Sequence, residues 1–137
     1  AAGATTVKPV TKSFWGYGGV LRGPDGAIWK VASESKKDTG AADPSVESVV
    51  LLLGVADVKA SRRFYADKGF VVAKSFGGKY AEFDPGGSPF TLALLGRRAV
   101  AKDAGVDAEG TGSARIVLGC DAGSFTDPDG FVWETPA

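Results

Sequence analysis

Residues 23–30 read GPDGAIWK, and residues 127–134 read DPDGFVWE. Each stretch is a tight turn followed by a short apolar strand that carries a tryptophan and then a charged residue. Proline presets the backbone of the second turn position, and glycine accepts the conformation that ends the turn. Two copies of one supersecondary unit predict a repeated architecture. The closing charge is Lys30 in one copy and Glu134 in the other, so we expect a structural repeat whose chemistry differs between the copies.

The composition around this repeat is that of an ordinary folded domain. The chain has 137 residues, 44% of them hydrophobic and 23% charged, and Lys plus Arg balances Asp plus Glu at 16 each. We therefore expect one compact domain with no nucleic-acid partner and no membrane partner. Cys120 is the single cysteine, which excludes an internal disulfide and favours a cytoplasmic protein. The sequence contains no His, the commonest metal ligand and general base.

The hydrophobic pattern predicts a strand, a helix and three more strands over residues 46–95. Val46–Val55 is almost continuously apolar and short, which is typical of a buried strand. Asp57 is a suitable N-cap for the helix, and Lys68 with Gly69 closes it. Val58, Ser61, Phe64 and Tyr65 form a stripe with helical spacing. The three further strands are predicted at 70–76, 79–84 and 90–95, joined by glycine-rich turns.

The remaining segments divide the chain at a polar stretch. We expect strands within residues 1–33 and a linker at 34–45, where charged residues are punctuated by Gly and Pro. Residues 46–137 then form the helix-containing module and an additional strand. In that part, 96–112 is predicted to be a loop with a short helical turn at 99–104, and 114–120 is predicted to be a strand.

The stretch LGVADVKASRRFY at residues 53–65, followed by Gly69 and Phe70, resembles the opening of a known superfamily. This is the glyoxalase, bleomycin-resistance and extradiol-dioxygenase superfamily, also called the vicinal oxygen chelate proteins. The stretch FWGYGG at residues 14–19, with the first turn and Trp29, resembles its closing strands. The resemblance implies an α+β fold of paired βαβββ modules. Each module curls into a half-barrel, two modules form a cup for a ligand, and homodimers are usual.

The order of the segments departs from that pattern. Closing strands come first, a complete module follows, and residues 114–120 resemble the opening strand of a second module that lacks its helix. In one interpretation the order is split or permuted, and residues 114–120 complete the sheet that residues 1–32 begin. In the other, residues 1–32 belong to the preceding domain of a longer protein. Either leaves open sheet edges, which favour a dimer with strands exchanged or side by side.

The resemblance also implies where a metal would bind. In enzymes of the superfamily, His and Glu from the first and last strands of each module hold a divalent cation. The matching positions fall on or near Val50, Arg115, Glu134 and Lys30, and the strand at 90–95 offers only apolar residues or Thr91. One carboxylate beside cations and a Val does not suit a divalent metal, so we expect no metal and no cofactor. Glu134 is then either a surface residue or, with Arg115, a hydrogen-bonding partner for a polar ligand.

Aromatic side chains supply the other candidate site. A cup lined by aromatic rings holds flat organic ligands by stacking and by burial of apolar area. The predicted ligand-binding residues are Trp15, Tyr17, Tyr80, Arg115 and Glu134. We expect Trp29 and Trp133 to lie in the core, because the repeat places them identically.

The sequence therefore predicts a metal-free protein that binds a small apolar or aromatic molecule. The alternative is a glyoxalase-like metal-dependent lyase or isomerase, or a dioxygenase, whose ligands come partly from a missing segment or a partner chain. A third interpretation is an assembly module whose cup is filled by its own side chains. No residue is assigned a catalytic role.

Overall fold

The computed structural model describes residues 3–13, 16–35, 40, 45–110 and 117–136. Trp15 and Arg115 lie outside these ranges, so what the sequence predicts for them stays a prediction. The chain divides into two compact units. One comprises Ala1–Ser45 with Asp103–Val106, and the other comprises Val46–Lys102 with Asp107–Ala137.

The first unit contains an antiparallel three-stranded sheet. Its strands are β1 (Thr5–Ser13), β2 (Gly16–Arg22) and β3 (Ile28–Ser33), in the order β1-β2-β3. The first GPDG turn joins β2 to β3. Trp29 is 53% exposed, so the prediction that it lies in the core is wrong. The physical reason is that β3 is an edge strand of this sheet, and its side chains have a neighbouring strand on one side only.

The second unit contains the predicted strand, helix and three strands. They are β4 (Val50–Val55), α1 (Val58–Asp67), β5 (Val72–Phe76), β6 (Tyr80–Phe83) and β7 (Thr91–Gly96). The strands form one sheet in the order β4-β7-β6-β5, in which β4 and β7 are parallel and the other pairs antiparallel. The α+β class and the βαβββ order of this segment are confirmed.

Helix α1 begins and ends where the sequence predicts. The Asp57 carboxylate accepts a hydrogen bond from the Ala60 amide at 3.0 Å, which is an N-cap contact. Lys68 is the C-cap, and Gly69 follows it with φ of 99°, a left-handed conformation that glycine adopts without strain. A second helix, α2 (Arg97–Ala104), occupies much of the predicted 96–112 loop and is longer than the expected turn.

A second, smaller sheet follows α2. Its strands are β8 (Val117–Gly119), β9 (Phe125–Thr126) and β10 (Val132–Glu134), in the order β8-β10-β9. Between β8 and β9, where every residue is described, there is no helix, as expected. Among the described residues β8 pairs in parallel with β10, in the smaller sheet of the second unit.

The core of the second unit lies where α1 meets both of its sheets. Its largest fully buried side chains are Leu53, Tyr65, Phe83, Leu94 and Trp133. Trp133 is 2% exposed, so its predicted core position is confirmed. Neither of the helices in the described part of the chain is long and apolar enough to cross a membrane.

Candidate functional site

A polar pair lies on the face of β6 that is turned away from α1. Side chains alternate along a strand, and Ala81 and Phe83 are buried in the core that α1 covers. Tyr80 and Glu82 therefore lie on the opposite face. The Tyr80 hydroxyl donates a hydrogen bond to the Glu82 Oε2 at 2.7 Å. We call this side of the sheet the distal face; it carries Val50, Leu52, Lys74, Phe76, Tyr80, Glu82, Thr91 and Leu95.

The protonation of Tyr80 limits what this pair can do. Burial, followed by the hydrogen bond to Glu82 and the charge of that carboxylate, raises the pKa of Tyr80 above its usual value. The phenol therefore keeps its proton at neutral pH and does not act as a base. Its oxygen lone pairs can still accept a hydrogen bond from a ligand while the proton points to Glu82.

Neighbouring strands flank the pair with a ring and a cation. Phe76 is opposite Tyr80 in the β5–β6 register, and their ring centroids lie 5.9 Å apart at an interplanar angle of 34°. Lys74 is opposite Glu82, with its Nζ 4.0 Å from the Glu82 Oε1. The Lys74 side chain is largely exposed, so this ion pair contributes little to stability.

The distal face is bounded at one end by α2. A Cβ atom at Gly54 would lie 3.3 Å from the Val100 Cβ and 3.4 Å from the Arg97 Cα. Glycine at this position thus allows the helix to approach β4 closely. At the other end, Val50 is 49% exposed and lies beside Thr91 in the β4–β7 register.

The residues at the implied metal positions do not fit a divalent cation. Val50 and Thr91 are brought side by side, but they offer a hydrocarbon side chain and one neutral hydroxyl. No group of three or more His, Cys, Asp or Glu residues in the described ranges could hold a metal ion. Lys30, in the first unit, pairs with Asp103 at 3.0 Å. The described residues at these positions therefore offer no set of ligands for a divalent cation.

The other predicted ligand-binding residues occupy separate places. Glu134 is exposed at the end of β10 and lines a shallow depression of about 410 Å³ together with Phe125 and Val132. Within the described ranges no ion pair or side-chain hydrogen bond is made by Glu134, and none joins it to Tyr80. Tyr17 belongs to the first unit, where it is half-buried on β2.

Glu82 is the residue of this site that the sequence analysis missed. A signal was present, because residues two apart on a strand share a face, and Tyr80 and Glu82 have that spacing within a predicted strand. The same spacing relates Lys74 to Phe76. The pairing of β5 with β6, which places these four side chains together, could not be inferred from spacing alone.

The second turn, DPDG at residues 127–130, is built into the core. The Asp127 Oδ2 accepts a hydrogen bond from the Tyr65 hydroxyl at 2.5 Å, and its Oδ1 accepts from the amides of Asp129 and Phe131 at 2.9 Å each. The Trp133 Nε1 donates to the Tyr65 oxygen at 3.0 Å. These buried polar atoms are therefore satisfied by one another.

Asp129 ties the same turn to three further segments. Its Oδ1 accepts from the Ala56 amide at 2.8 Å and from the Arg97 guanidinium at 2.9 Å, and its Oδ2 accepts from the Ser61 hydroxyl at 3.3 Å. Arg97, which lies in the segment predicted to be a loop, thus holds the start of α2 to this turn. We call residues 127–130 the anchor turn; its role is structural.

Comparison with known proteins agrees with this fold. A glyoxalase-related enzyme from Fulvimarina pelagi is similar in structure, with a TM-score of 0.54 and 20% identity over 65% of this chain and 86% of that chain. A hypothetical protein from S. aureus gives a TM-score of 0.53 with 16% identity over 65% of this chain and 91% of that chain. No protein-family model and no curated protein matches the sequence. The likeness to these two structures is one of fold, and it agrees with the fold that the resemblance implies.

Proposed function

We propose that the chain binds a small organic molecule on the distal face of the β4–β7 sheet, without a metal ion. The observation that carries the proposal is the Tyr80–Glu82 hydrogen bond on a face where β7, next to β6, and β4 beyond it present mainly hydrocarbon. Ligand sites combine an apolar lining with a few polar groups that fix orientation. A half-buried phenol held by a carboxylate is such a group.

The same contacts suggest the class of ligand. The rings of Phe76 and Tyr80 offer aromatic surface, while the Tyr80 oxygen and the Glu82 carboxylate accept hydrogen bonds. A flat aromatic molecule with an N–H or O–H donor matches this arrangement. The Lys74 Nζ, 4.0 Å from the Glu82 Oε1, supplies a positive charge beside the Glu82 carboxylate.

Binding is favoured over catalysis by the groups that line the face. Tyr80 keeps its proton at neutral pH, the sequence has no His, and Val50 and Thr91 stand at implied metal positions. The enzyme alternative requires ligands from residues outside the described ranges or from a partner chain. Metal analysis of the purified protein separates the two, because stoichiometric bound zinc, nickel, manganese or iron would overturn metal-free binding.

Indole and 1-methylindole make a matched pair of probes, since only indole has an N–H donor. Titration followed by amide chemical shifts should show indole perturbing β5, β6 and β7 and binding several-fold more tightly than 1-methylindole. Tyr80→Phe and Glu82→Gln should each weaken indole binding, whereas Glu109→Gln, an exposed change elsewhere in the second unit, should not. Shifts centred on another surface, or equal binding to all the variants, would refute the proposed site.

The cup of curled modules and the homodimer belong to the same proposal. They are supported by the resemblance and by the fact that each of the described sheets ends in two edge strands. Sedimentation at micromolar concentration tests the dimer, and a monomeric mass would count against it.

A further inference from the structure

A cleft of about 500 Å³ lies in the second unit, away from the distal face. One wall is the loop between β6 and β7, from Asp84 to Phe90, and the other is the segment after β8, from Gly119 to Asp121. The floor includes Phe83 and Leu92, which point to the side of the sheet that α1 covers. The cleft is therefore on the opposite side of the sheet from Tyr80 and Glu82, and it is independent of the proposed function.

The floor of the cleft is aromatic. Phe70, Phe83 and Trp133 line it, with the Phe70 ring centroid 5.9 Å from that of Phe83 and 5.3 Å from that of Trp133. Phe83 and Trp133 are almost completely buried, so these rings are held in place by the core. The half-buried Phe70 and Phe90 therefore offer the ring surface that a ligand can touch, and such surface suits a bulky apolar group and attracts cations through the ring quadrupole.

The rim of the cleft is negatively charged. Asp84 and Asp121 are its only charged residues in the part of the chain that the structure describes, and both are exposed. Neither forms an ion pair with another described residue. The Asp84 Oδ1 accepts a hydrogen bond from the Gly86 amide at 2.9 Å, which orients the carboxylate without neutralising it.

We propose that this cleft binds a small organic cation, such as a quaternary ammonium compound with an aromatic body. The volume lies within the range of small-molecule sites. The aromatic floor receives the apolar part, and the two carboxylates at the rim face the positive charge. An anion of the same shape is rejected by the same carboxylates.

The chain contains its own reporter of occupancy. Cys120 is the single cysteine, it is half-buried, and it lines the cleft. A molecule in the cleft should shield its thiol from alkylation. Because the chain has no second cysteine to react, the rate of iodoacetamide labelling at increasing ligand concentration reports binding in the cleft.

Benzyltrimethylammonium is the probe, and phenylacetate is the control with the same ring and the opposite charge. We expect saturable protection of Cys120 by the cation and none by phenylacetate at the same concentrations. Protection by both, or by neither up to about 10 mM, overturns the proposal. Slower labelling as the protein concentration rises without any probe would instead assign the cleft to a second copy of the chain.

Charge-removing variants test the role of the rim. Asp84→Asn and Asp121→Asn keep the side-chain shape, and each should weaken protection by the cation about threefold to tenfold. Asp107→Asn is the matched control, because its Oδ1 also accepts an amide, that of Glu109 at 2.9 Å, and Asp107 does not line the cleft. An equal loss in the control would show a general charge effect and overturn the assigned site, as would no loss in either rim variant.

Discussion

The two copies of the turn have the same local structure and different surroundings. Gly23 and Asp127 each donate an amide to the carbonyl four residues on, at 2.8 and 2.9 Å, and Gly26 and Gly130 have φ of 87° and 89°. The strands that follow pair in the same register, Trp29 opposite Leu21 and Trp133 opposite Phe125. Yet Trp29 is 53% exposed and Trp133 is 2% exposed. The conformation of the turn therefore does not decide burial.

A single substitution changes what the turns can bind. In the first turn, Gly23 has no side chain, so Asp25 caps the turn itself by accepting the Ala27 amide at 3.1 Å. In the anchor turn, Asp127 takes the local amides, and Asp129 is left to bind α1 and α2 segments through Ser61 and Arg97. Because the Asp127 carboxylate accepts the amides of the turn, the Asp129 carboxylate is available for tertiary contacts.

Truncating the two tryptophans should give the largest contrast between the copies. Trp133→Ala removes a fully buried ring and its hydrogen bond to Tyr65, and should lower the free energy of unfolding by about 4 kcal/mol. Trp29→Ala, at an edge strand, should cost less than about 1 kcal/mol. Denaturant unfolding followed by circular dichroism measures both. Equal losses would mean that the two strands are equally buried in solution.

The first acidic position of the anchor turn should have the next largest effect. Asp127→Ala leaves the Tyr65 hydroxyl and two amides without their acceptor, so we expect a loss of about 3 kcal/mol in the free energy of unfolding. Asp25→Ala in the exposed first turn removes one hydrogen bond and should cost about 0.5 kcal/mol. If both variants unfold at the same denaturant concentration, Asp127 does not anchor the turn.

Alkaline pH should destabilise the anchor turn, which packs against the buried Tyr65, and should not affect the first turn. Burial, aided by Asp127, raises the pKa of Tyr65 above its usual 10.0. At pH values below 10.0 the Tyr65 phenol is protonated in both the folded and the unfolded chain, so its hydrogen bonds contribute fully to the free energy of unfolding. Above that pH, the unfolded chain loses the proton first, and the free energy of unfolding falls by up to about 1.4 kcal/mol per pH unit.

Tyr65→Phe removes this dependence while Tyr80, whose pKa is also raised, is kept in both proteins. The variant should start less stable, by about 2 kcal/mol, because the Trp133 Nε1 and Asp127 lose a partner. Denaturant unfolding between about pH 8 and pH 11 measures the slopes. Parallel curves for the two proteins would contradict a buried, protonated Tyr65.

The second acidic position should show the smallest contrast. Asp129→Asn removes the charge that faces Arg97 and should cost about 1 kcal/mol, because the Arg97 side chain is 47% exposed and the ion pair is screened. Asp25 faces no cation among the described residues, so Asp25→Asn should leave the free energy of unfolding nearly unchanged. The difference should shrink in about 1 M salt; a difference that salt does not change would show that Asp129 acts through neutral hydrogen bonds.

Prediction from sequence succeeded where the cause is local. Helix α1 was predicted from Asp57 to Gly69, and the β5–β6 and β6–β7 hairpins from their glycines, because caps and turns depend on residues a few positions apart. It failed for Trp29, where a similar local sequence was taken to mean the same burial as that of Trp133. Of the predicted ligand-binding residues, Tyr80 gained a partner in Glu82 that the sequence analysis had not grouped with it.

The sequence by itself determined the two turns, their hairpin register and helix α1, which lies between β4 and β5 along the chain. Tertiary structure alone decided which of the two tryptophans became buried. Asp127 and Tyr65 are 62 positions apart, and Trp133 and Tyr65 are 68 positions apart. A turn closes through hydrogen bonds within four residues, but burial of its tryptophan requires distant segments, β8 beside it and α1 above it, which no local pattern encodes.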